Sequence, residues 1–274
     1  MTTSTAPAPA NTGYPGMRVT QARVIRSEWT KFRSLRSSKI TLLIAVVLTI
    51  GLGALISAVT AAHYADMRPA RQAEFNAIIT SLSGVRIAQL AVGVLGVLLV
   101  SGEYATGMIR SSLTAVPARL PVLWAKMAVF TGVVGVASIA STFVAFFLGQ
   151  SLLSGKHLNA SISDPGALRM VIGAGVYLLL IGLIGMALGG LLRNTAAGIS
   201  SLVALFFVIP PIMSLLPTNW SDTIGPYLPS TAGEAFWGRP DTAHLSPWAG
   251  FAVLCAWTAL AVVLAAVRLK RSDA

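Results

Sequence analysis

Six long apolar runs constrain the fold of this chain more than any other feature of its sequence. They cover residues 40–62, 77–101, 122–150, 168–192, 198–216 and 248–267. A helix needs about 20 mostly apolar residues to cross the hydrocarbon core of a bilayer. The chain is also only 11% charged, whereas soluble domains carry about 25% charged residues. The sequence therefore predicts an all-α integral membrane protein with six transmembrane helices.

The basic residues predict the orientation of these six spans. Of the 20 Lys and Arg residues, 14 lie before the first run, between the second and third, between the fourth and fifth, and after the sixth, counting Lys126 just inside the third. Only three of the nine acidic residues share that side. Lys and Arg accumulate in the cytoplasmic loops of membrane proteins. We therefore expect a multi-pass protein of the cell inner (plasma) membrane with both termini in the cytoplasm.

The chain divides into four predicted segments. We expect a disordered cytoplasmic tail over residues 1–17, an interfacial amphipathic helix over 18–39, the six-span domain over 40–267 and a cytoplasmic tail over 268–274. The interfacial helix is indicated by apolar side chains that recur at helical spacing between basic residues, namely Ala22, Ile25, Trp29, Phe32 and Leu35. Such a helix lies in the headgroup region of the membrane. The alternative is a basic flank that only sets the topology.

The inner loop between the second and third runs carries the strongest motif. Taken as a helix, its polar face would hold Glu103, Thr106, Gly107, Arg110 and Thr114. Its apolar face would hold Ala105, Met108, Ile109, Leu113 and Val116. We expect a short amphipathic helix over residues 103–113 along the cytoplasmic membrane surface, ended by Pro117. The alternative is a loop that is helical without a functional role.

The last two runs predict less regular structure. Pro210 and Pro211 close the fifth run, and paired prolines break or kink a helix because they lack the backbone N–H. Residues 217–247 are rich in the aromatic side chains that gather at membrane interfaces. We expect part of this outer segment to re-enter the membrane under cover of the protein. In the fourth run, the spacing of Gly185 and Gly189 predicts a close helix contact, within the bundle or between subunits.

Several classes of chemistry have no motif in this sequence. There is no Walker A loop for nucleotide phosphates and no His-Glu-x-x-His zinc motif. The three histidines fall in separate outer loops, and the single Cys255 lies in the last run, so we expect neither a metal site nor a disulfide. The basic residues flank apolar runs, which favours anionic membrane lipid over nucleic acid as their partner. We expect no enzymatic activity in this chain.

Three segments, in the right order, resemble the membrane permeases of ABC-2 type ATP-binding-cassette (ABC) transporters. After the second run, the resemblance is carried by Glu103, Tyr104, Gly107, Arg110, Leu113, Pro117 and Arg119, followed by Lys126. In the N-terminal helix it is carried by Ser27, Glu28, Trp29, Lys31, Arg33 and Ser34. Before the last run it is carried by Tyr227, Leu228, Pro229, Ser230, Ala232 and Gly233. Many members of the family carry Thr or Ser where this chain has Met108.

The resemblance implies an export permease that works with a separately encoded ATPase. Such permeases pair as two membrane subunits, identical or related, with two ATPase copies that hold the ATP and Mg²⁺. The inner helix would couple the two proteins through Glu103, Thr106, Gly107, Arg110, Leu113, Pro117 and Arg119. Glu103 would hold the end of the second span to the interface or to a basic partner, Arg110 would pair with an ATPase acid, and Gly107 would allow close approach. The interfacial helix would include Glu28, Trp29, Lys31 and Phe32.

The same resemblance implies a substrate path between two permease copies, lined by the second and fifth runs. Spans without charge suit a hydrophobic or amphipathic cargo such as a drug, lipid or peptide.

Two other functions stay open from the sequence. A self-sufficient secondary transporter or channel is expected to have ionisable residues within its spans, or inverted repeats with matched broken helices. Here the paired prolines interrupt one half only. A membrane scaffold or sensor without transport is the third candidate, and the loops are too short to hold a sizeable soluble domain for it.

Overall fold

A computed structural model describes residues 20–116, 119–238 and 245–271 of the chain. Within those ranges every regular element is a helix. In chain order the helices are α1 (Gln21–Ser34), α2 (Arg36–His63), α3 (Pro69–Ala73), α4 (Ala77–Ser81), α5 (Val85–Ala105), α6 (Met108–Ala115), α7 (Leu120–Ser154), α8 (Ala167–Leu192), α9 (Thr195–Val203), α10 (Ile209–Ser214), α11 (Thr218–Ile224), α12 (Pro229–Trp237) and α13 (Pro247–Arg271). The predicted tail over residues 1–17 lies outside the described ranges.

Six helical stretches of the described chain are long and apolar enough to cross a membrane. They are Arg36–Asp66, Val85–Ala105, Leu120–Ser154, Ala167–Leu192, Thr195–Ser214 and Pro247–Arg271. They confirm the prediction of six helices that are long and apolar enough to span a membrane, and they indicate a multi-pass membrane protein.

The second predicted run, residues 77–101, is not one helix. Asn76 caps α4, since its side-chain oxygen accepts the backbone N–H groups of Ile78 and Ile79 at 3.0 Å each. A turn at residues 82–84 follows, in which Val85 donates its N–H to the carbonyl of Leu82 at 3.0 Å. That three-residue hydrogen bond interrupts the α-helical pattern, so the span proper begins only with α5.

The fifth span passes through its two prolines instead of ending there. Pro210 and Pro211 stand in the first turn of α10, and the five residues before that helix form a π-helical segment, Ala204–Val208. The N–H of Ile209 bonds to the carbonyl of Ala204, five residues back. The wider turn shifts the hydrogen-bond register ahead of the prolines, which have no N–H to donate. The expected break is thus a change of helix type.

The helix α8 lies at the centre of the bundle. In its most apolar stretch 72% of the residues are buried, against 17% for the span formed by α9 and α10. It runs parallel to α5, and Gly185 packs against the backbone of Gly93. A Cβ atom on Gly189 would lie only 2.7 Å from the carbonyl oxygen of Val97. The close contact predicted from these two glycines therefore lies inside the bundle, between α5 and α8.

The bundle has two unlike ends. The end that we call the α1 end holds α1, α6, the last turns of α5, α8 and α13, and the first turns of α2 and α7. The opposite end, the α12 end, holds α3, α4, α11 and α12, where α12 packs on α8 and α13. Of the 18 described Lys and Arg residues, 13 belong to the α1 end. The α12 end is held by aromatic and polar contacts, including the hydrogen bond from the Tyr177 hydroxyl to Gln89 Oε1 at 2.6 Å.

Candidate functional site

The helix α1 is shorter than the sequence predicts. A helix over residues 18–39 was expected, but α1 ends at Ser34 and Leu35 has extended backbone. Residues 36–39 open α2 instead. The kink at Leu35 lets the chain turn from α1 directly into the first span. Residues 18 and 19 lie outside the described ranges.

The buried face of α1 also differs from the predicted apolar stripe. Val24, Glu28 and Phe32 are buried, whereas Trp29 is 48% exposed. These three positions are spaced four residues apart, so they share one face of the helix. The stripe is rotated because α1 packs against α7, and an acidic side chain lies at the centre of that contact.

Four charged side chains from three helices meet at this contact. Glu28 and Lys31 come from α1, Glu103 from the last turn of α5 and Lys126 from the second turn of α7. The Nζ atom of Lys126 lies 2.6 Å from Glu28 Oε2 and 2.8 Å from Glu103 Oε1. The Nζ atom of Lys31 lies 2.6 Å from Glu28 Oε1 and 3.2 Å from Glu103 Oε1. We call these four residues the ion cluster; each ammonium group in it bridges both carboxylates.

The ion cluster has no net charge and is almost removed from solvent. Glu28, Glu103 and Lys126 are each 4% exposed. A buried ion without a partner costs several kcal/mol, roughly, so the alternation of charges is what makes the burial possible. Burial on its own lowers the pKa of Lys31, but hydrogen bonding and attraction from Glu28 and Glu103 outweigh it and raise that pKa above its ordinary value. Lys31 therefore keeps its charge at neutral pH.

The space beside the ion cluster is too small for a substrate. The cavity next to its four side chains measures about 10 Å³, which is about the room that one water molecule needs. One carboxylate oxygen, Oε2 of Glu103, is buried and accepts no hydrogen bond from the described residues. The ion cluster therefore connects α1, α5 and α7 to one another through ion pairs.

The predicted inner helix over residues 103–113 is wrong as a single helix. Glu103 belongs to α5, which ends at Ala105, and α6 starts afresh at Met108. Gly107 separates them with a φ of +72°, a left-handed conformation that glycine adopts without steric cost. A Cβ atom there would meet nothing within 4 Å. Within this chain the glycine is thus explained by backbone conformation, and its predicted approach to a partner stays a prediction.

The helix α6 is attached to the ion cluster and to α7. The Lys31 ammonium donates a hydrogen bond to Ser112 Oγ at 2.9 Å. Leu113 packs beside Val24 and Val122 in a small apolar cluster. Lys31 thus contacts α1, α5 and α6 at once.

The remaining predicted coupling residues fall into two groups. Thr106 and Arg110 are exposed, and the Thr106 hydroxyl donates to the carbonyl of Gly102 at 3.0 Å. Arg119 is half-buried and donates from Nη1 to the carbonyl of Leu269 at 3.4 Å, which links the start of α7 to the end of α13. Pro117 lies outside the described residues.

A groove opens between α1 and α6 next to the ion cluster. Its volume is about 650 Å³. Arg23, Ser27 and Val24 line it from α1, and Met108 and Ser111 line it from α6. A ligand bound there would contact both α1 and α6, the two helices that the ion cluster connects to the spans.

One contact at this end was not anticipated from the sequence. The guanidinium group of Arg193, just after α8, lies 5.0 Å from the centre of the Tyr104 ring on α5. This distance is within the range of a cation–π interaction. Together with Arg119, it holds the ends of four spans at the α1 end of the bundle.

The structure gives Glu103 two basic partners, Lys31 and Lys126, which the sequence does not identify, although two signals in it point to a buried ion cluster. Glu28 is the only acid among residues 18–39, and Lys126 is the only charged residue among residues 122–150. A lone acid in a basic helix and a lone base in an apolar run are each costly to bury unless paired. Sequence spacing does not show which helices are neighbours, so it could not identify the pairs.

Within the described ranges, no three His, Cys, Asp or Glu side chains gather as a metal ion would require. No protein family and no curated protein matches this chain, so its function has to be inferred from these residues, and the resemblance to ABC-2 permeases stays a prediction.

Proposed function

We propose that this chain is the transmembrane permease subunit of an ABC-2 type exporter, driven by a separately encoded ATPase. The observation that carries the proposal is the ion cluster. It joins α1 and α6, which lie at the end of the bundle, to the second and third spans through Glu103 and Lys126. A displacement of α1 or α6 would therefore be transmitted to the spans with little loss.

The proposed orientation follows from charge. The 14 basic residues on one side of the six apolar runs, against 6 on the other, favour a cytoplasmic α1 end by the positive-inside rule. Both termini would then be cytoplasmic, α1 would be an interfacial helix of the inner (plasma) membrane, and α6 would face the cytoplasm as a coupling helix. The buried helix α12 would be the outer re-entrant element, because its polar backbone is covered by α8 and α13.

The proposed partner binds at the surface formed by α6 and α1. Arg110 is exposed on α6 and makes no ion pair with the described part of the chain, so it is available to an acidic side chain of the ATPase. The groove between α1 and α6 lies beside the ion cluster. ATP and Mg²⁺ would be held by two ATPase copies, and this chain would catalyse no reaction. In this proposal Glu103 connects helices within the permease, and Arg110 contacts the ATPase.

A second permease copy would complete the transporter. Large apolar side chains are exposed on α2 and α13, including Leu43, Val47, Val263 and Leu264. Lipid or a second copy, identical or related, would cover them. A path between two such copies would carry a hydrophobic or amphipathic cargo.

The test is a comparison of two charge reversals in the assembled complex. The chain is purified from its native membrane, the copurifying ATP-hydrolysing subunit is identified, and the pair is reconstituted in liposomes. Arg110→Glu is expected to lower assembly with the ATPase, or ATP turnover by the reconstituted pair, by about tenfold, the effect of about 1.4 kcal/mol. Lys156→Glu, an exposed change at the opposite end, is the matched control and is expected to leave both unchanged. Unchanged assembly and turnover in Arg110→Glu would remove α6 from the coupling mechanism.

One observation favours the alternative of a secondary transporter. Glu103 and Lys126 are ionisable groups buried at the ends of two spans, and ion-coupled carriers use such groups. That function predicts transport by the chain alone in liposomes under an ion gradient, with no ATPase present. Transport of that kind would replace the proposed function, whereas its dependence on the ATPase would exclude the alternative.

A further inference from the structure

A second groove lies on the other side of α1, between α1 and α7. Its volume is about 670 Å³. Ala22, Ile25 and Trp29 line it from α1, and Gly132, Val136 and Ala137 are among the residues that line it from α7. Val136 is 70% exposed there. None of these residues lines the groove between α1 and α6, so the two grooves are separate.

The walls of the groove are apolar, and their length matches one leaflet. The lining residues on α7 run from Ala128 to Ala137, which corresponds to about 14 Å along the helix axis. Half of a hydrocarbon core is about 15 Å thick. Gly132 contributes no side chain, and a Cβ atom added there would meet nothing within 4 Å. The groove therefore has the length and polarity that suit an acyl chain.

The groove also presents a positive charge. Arg26 is the one charged residue among the described residues that line it, and its guanidinium makes no ion pair within the described ranges. The lysine of α1 is already neutralised in the ion cluster by Glu28 and Glu103. The charge that α1 leaves exposed is thus basic, and an anionic group complements it.

We infer that the groove between α1 and α7 binds one anionic phospholipid, with an acyl chain along α7 and the headgroup phosphate at Arg26. An apolar tail and an acidic head are both required to complement this surface. A zwitterionic lipid would satisfy the apolar walls but would bring no net charge to Arg26. The bound lipid would hold α1 against the third span from the side opposite the ion cluster.

Trp29 makes the proposal measurable, because it lines the groove and is half exposed. The full-length chain is reconstituted in phosphatidylcholine vesicles that contain a small fraction of brominated lipid. Bromine quenches nearby tryptophan fluorescence, and the difference between the wild type and Trp29→Phe isolates the signal of this residue from the other five tryptophans. Brominated phosphatidylglycerol is compared with brominated phosphatidylcholine by titrating each over the same range of mole fractions.

The expected result is preferential quenching of Trp29 by the anionic lipid. A basic side chain near an anionic lipid favours its binding about fivefold, so half-maximal quenching should need about fivefold less phosphatidylglycerol than phosphatidylcholine. Arg26→Gln should abolish the preference. Gly132→Leu should reduce quenching by both lipids, because the leucine fills the groove.

Two variants serve as matched controls. Arg33→Gln removes an exposed charge of α1 that does not line the groove. Gly51→Leu adds the same side chain at an exposed helical glycine of α2, where a Cβ also meets nothing within 4 Å. Both should behave as the wild type. Thermal stability in detergent verifies that each variant is folded.

Three outcomes would overturn the proposal. Equal quenching by the two lipids would mean ordinary annular lipid without a site. Loss of the preference in Arg33→Gln as well as Arg26→Gln would mean a diffuse surface charge. Trp29 that neither lipid quenches would mean that protein, such as a second copy of the chain, covers the groove. None of these results bears on whether an ATPase drives the permease.

Discussion

At the scale of single residues, the buried charges of the chain are stabilised because they are paired. Lys126 lies in an otherwise apolar span, yet it is only 4% exposed and contacts carboxylates from two other helices. If Lys126 contacted only one of these two carboxylates, the other would have a single ammonium group, that of Lys31, to balance its charge. The effect of any substitution therefore depends on the balance of the whole cluster, and not on the residue that is changed.

The first prediction concerns Lys126→Met. Removing this ammonium leaves two buried carboxylates with one lysine, and breaking a buried ion pair from one side costs about 3–5 kcal/mol. We expect a large fall in the unfolding temperature in detergent, measured by a fluorescence thermal-shift assay. Lys156→Met, which removes an exposed lysine, should change stability by less than about 0.5 kcal/mol.

A double variant separates charge balance from side-chain packing. Lys126→Met combined with Glu103→Gln restores neutrality, so it should be less destabilised than Lys126→Met alone, as is typical when both members of a buried pair are neutralised. Additive losses in the double variant would mean that packing, and not electrostatics, holds these helices together.

At the scale of helices, the bundle depends on how closely backbones approach. The parallel pair α5 and α8 meets at glycines, and Gly189 faces the backbone of Val97. Gly190, the next residue, faces ordinary van der Waals contacts, with a Cβ position 3.5 Å from Val100 Cγ1. Of these two adjacent glycines, only Gly189 is required for the close approach of α8 to α5.

The second prediction uses this difference. Gly189→Ala places a methyl group 2.7 Å from the Val97 carbonyl oxygen, so α5 must move away, and overpacking of this kind costs about 1–3 kcal/mol. Gly190→Ala meets no such obstacle and should gain up to about 1 kcal/mol, because alanine favours a helix over glycine. Thermal unfolding in detergent measures both, and a stabilised Gly189→Ala would mean that the two helices can separate freely.

The same scale shows what the sequence could and could not predict. The length and polarity of the apolar runs were sufficient to predict six spans in the observed order, because whether a run can span a membrane depends only on its own residues. The prediction of a single inner helix over 103–113 was wrong. The segregation of polar and apolar side chains on two faces is compatible with a helix, but it does not predict the positive φ angle of Gly107 that separates α5 from α6. The rotated face of α1 was missed for a related reason: Glu28 reads as a solvent-facing residue until its partners on α5 and α7 are known.

At the scale of the whole molecule, hydropathy does not distinguish a central span from a peripheral one. The most apolar stretch of the first span has a mean hydropathy of 2.7 and that of α8 has 2.4, yet 22% and 72% of these two stretches are buried. Apolar side chains are equally suited to lipid and to protein, so burial is decided by which helices have small residues at matching positions. The two ends of the bundle differ clearly in charge, because Lys and Arg side chains favour the cytoplasmic side of a membrane whereas apolar side chains favour neither lipid nor protein.

The third prediction tests that difference through the membrane orientation. In a chain whose Cys255 is replaced by Ser, single cysteines are introduced at Thr114 on α6 and at Lys156 in the loop after α7, both exposed positions. Only α7 separates them, and 14 of the 20 basic residues lie on the side of Thr114, so that side should be cytoplasmic. A membrane-impermeant maleimide added to intact cells should label Lys156→Cys alone, and both variants after the membrane is opened. Labelling of Thr114→Cys in intact cells would place α6 outside, where no ATPase could reach it, and the proposed coupling would fail together with the orientation.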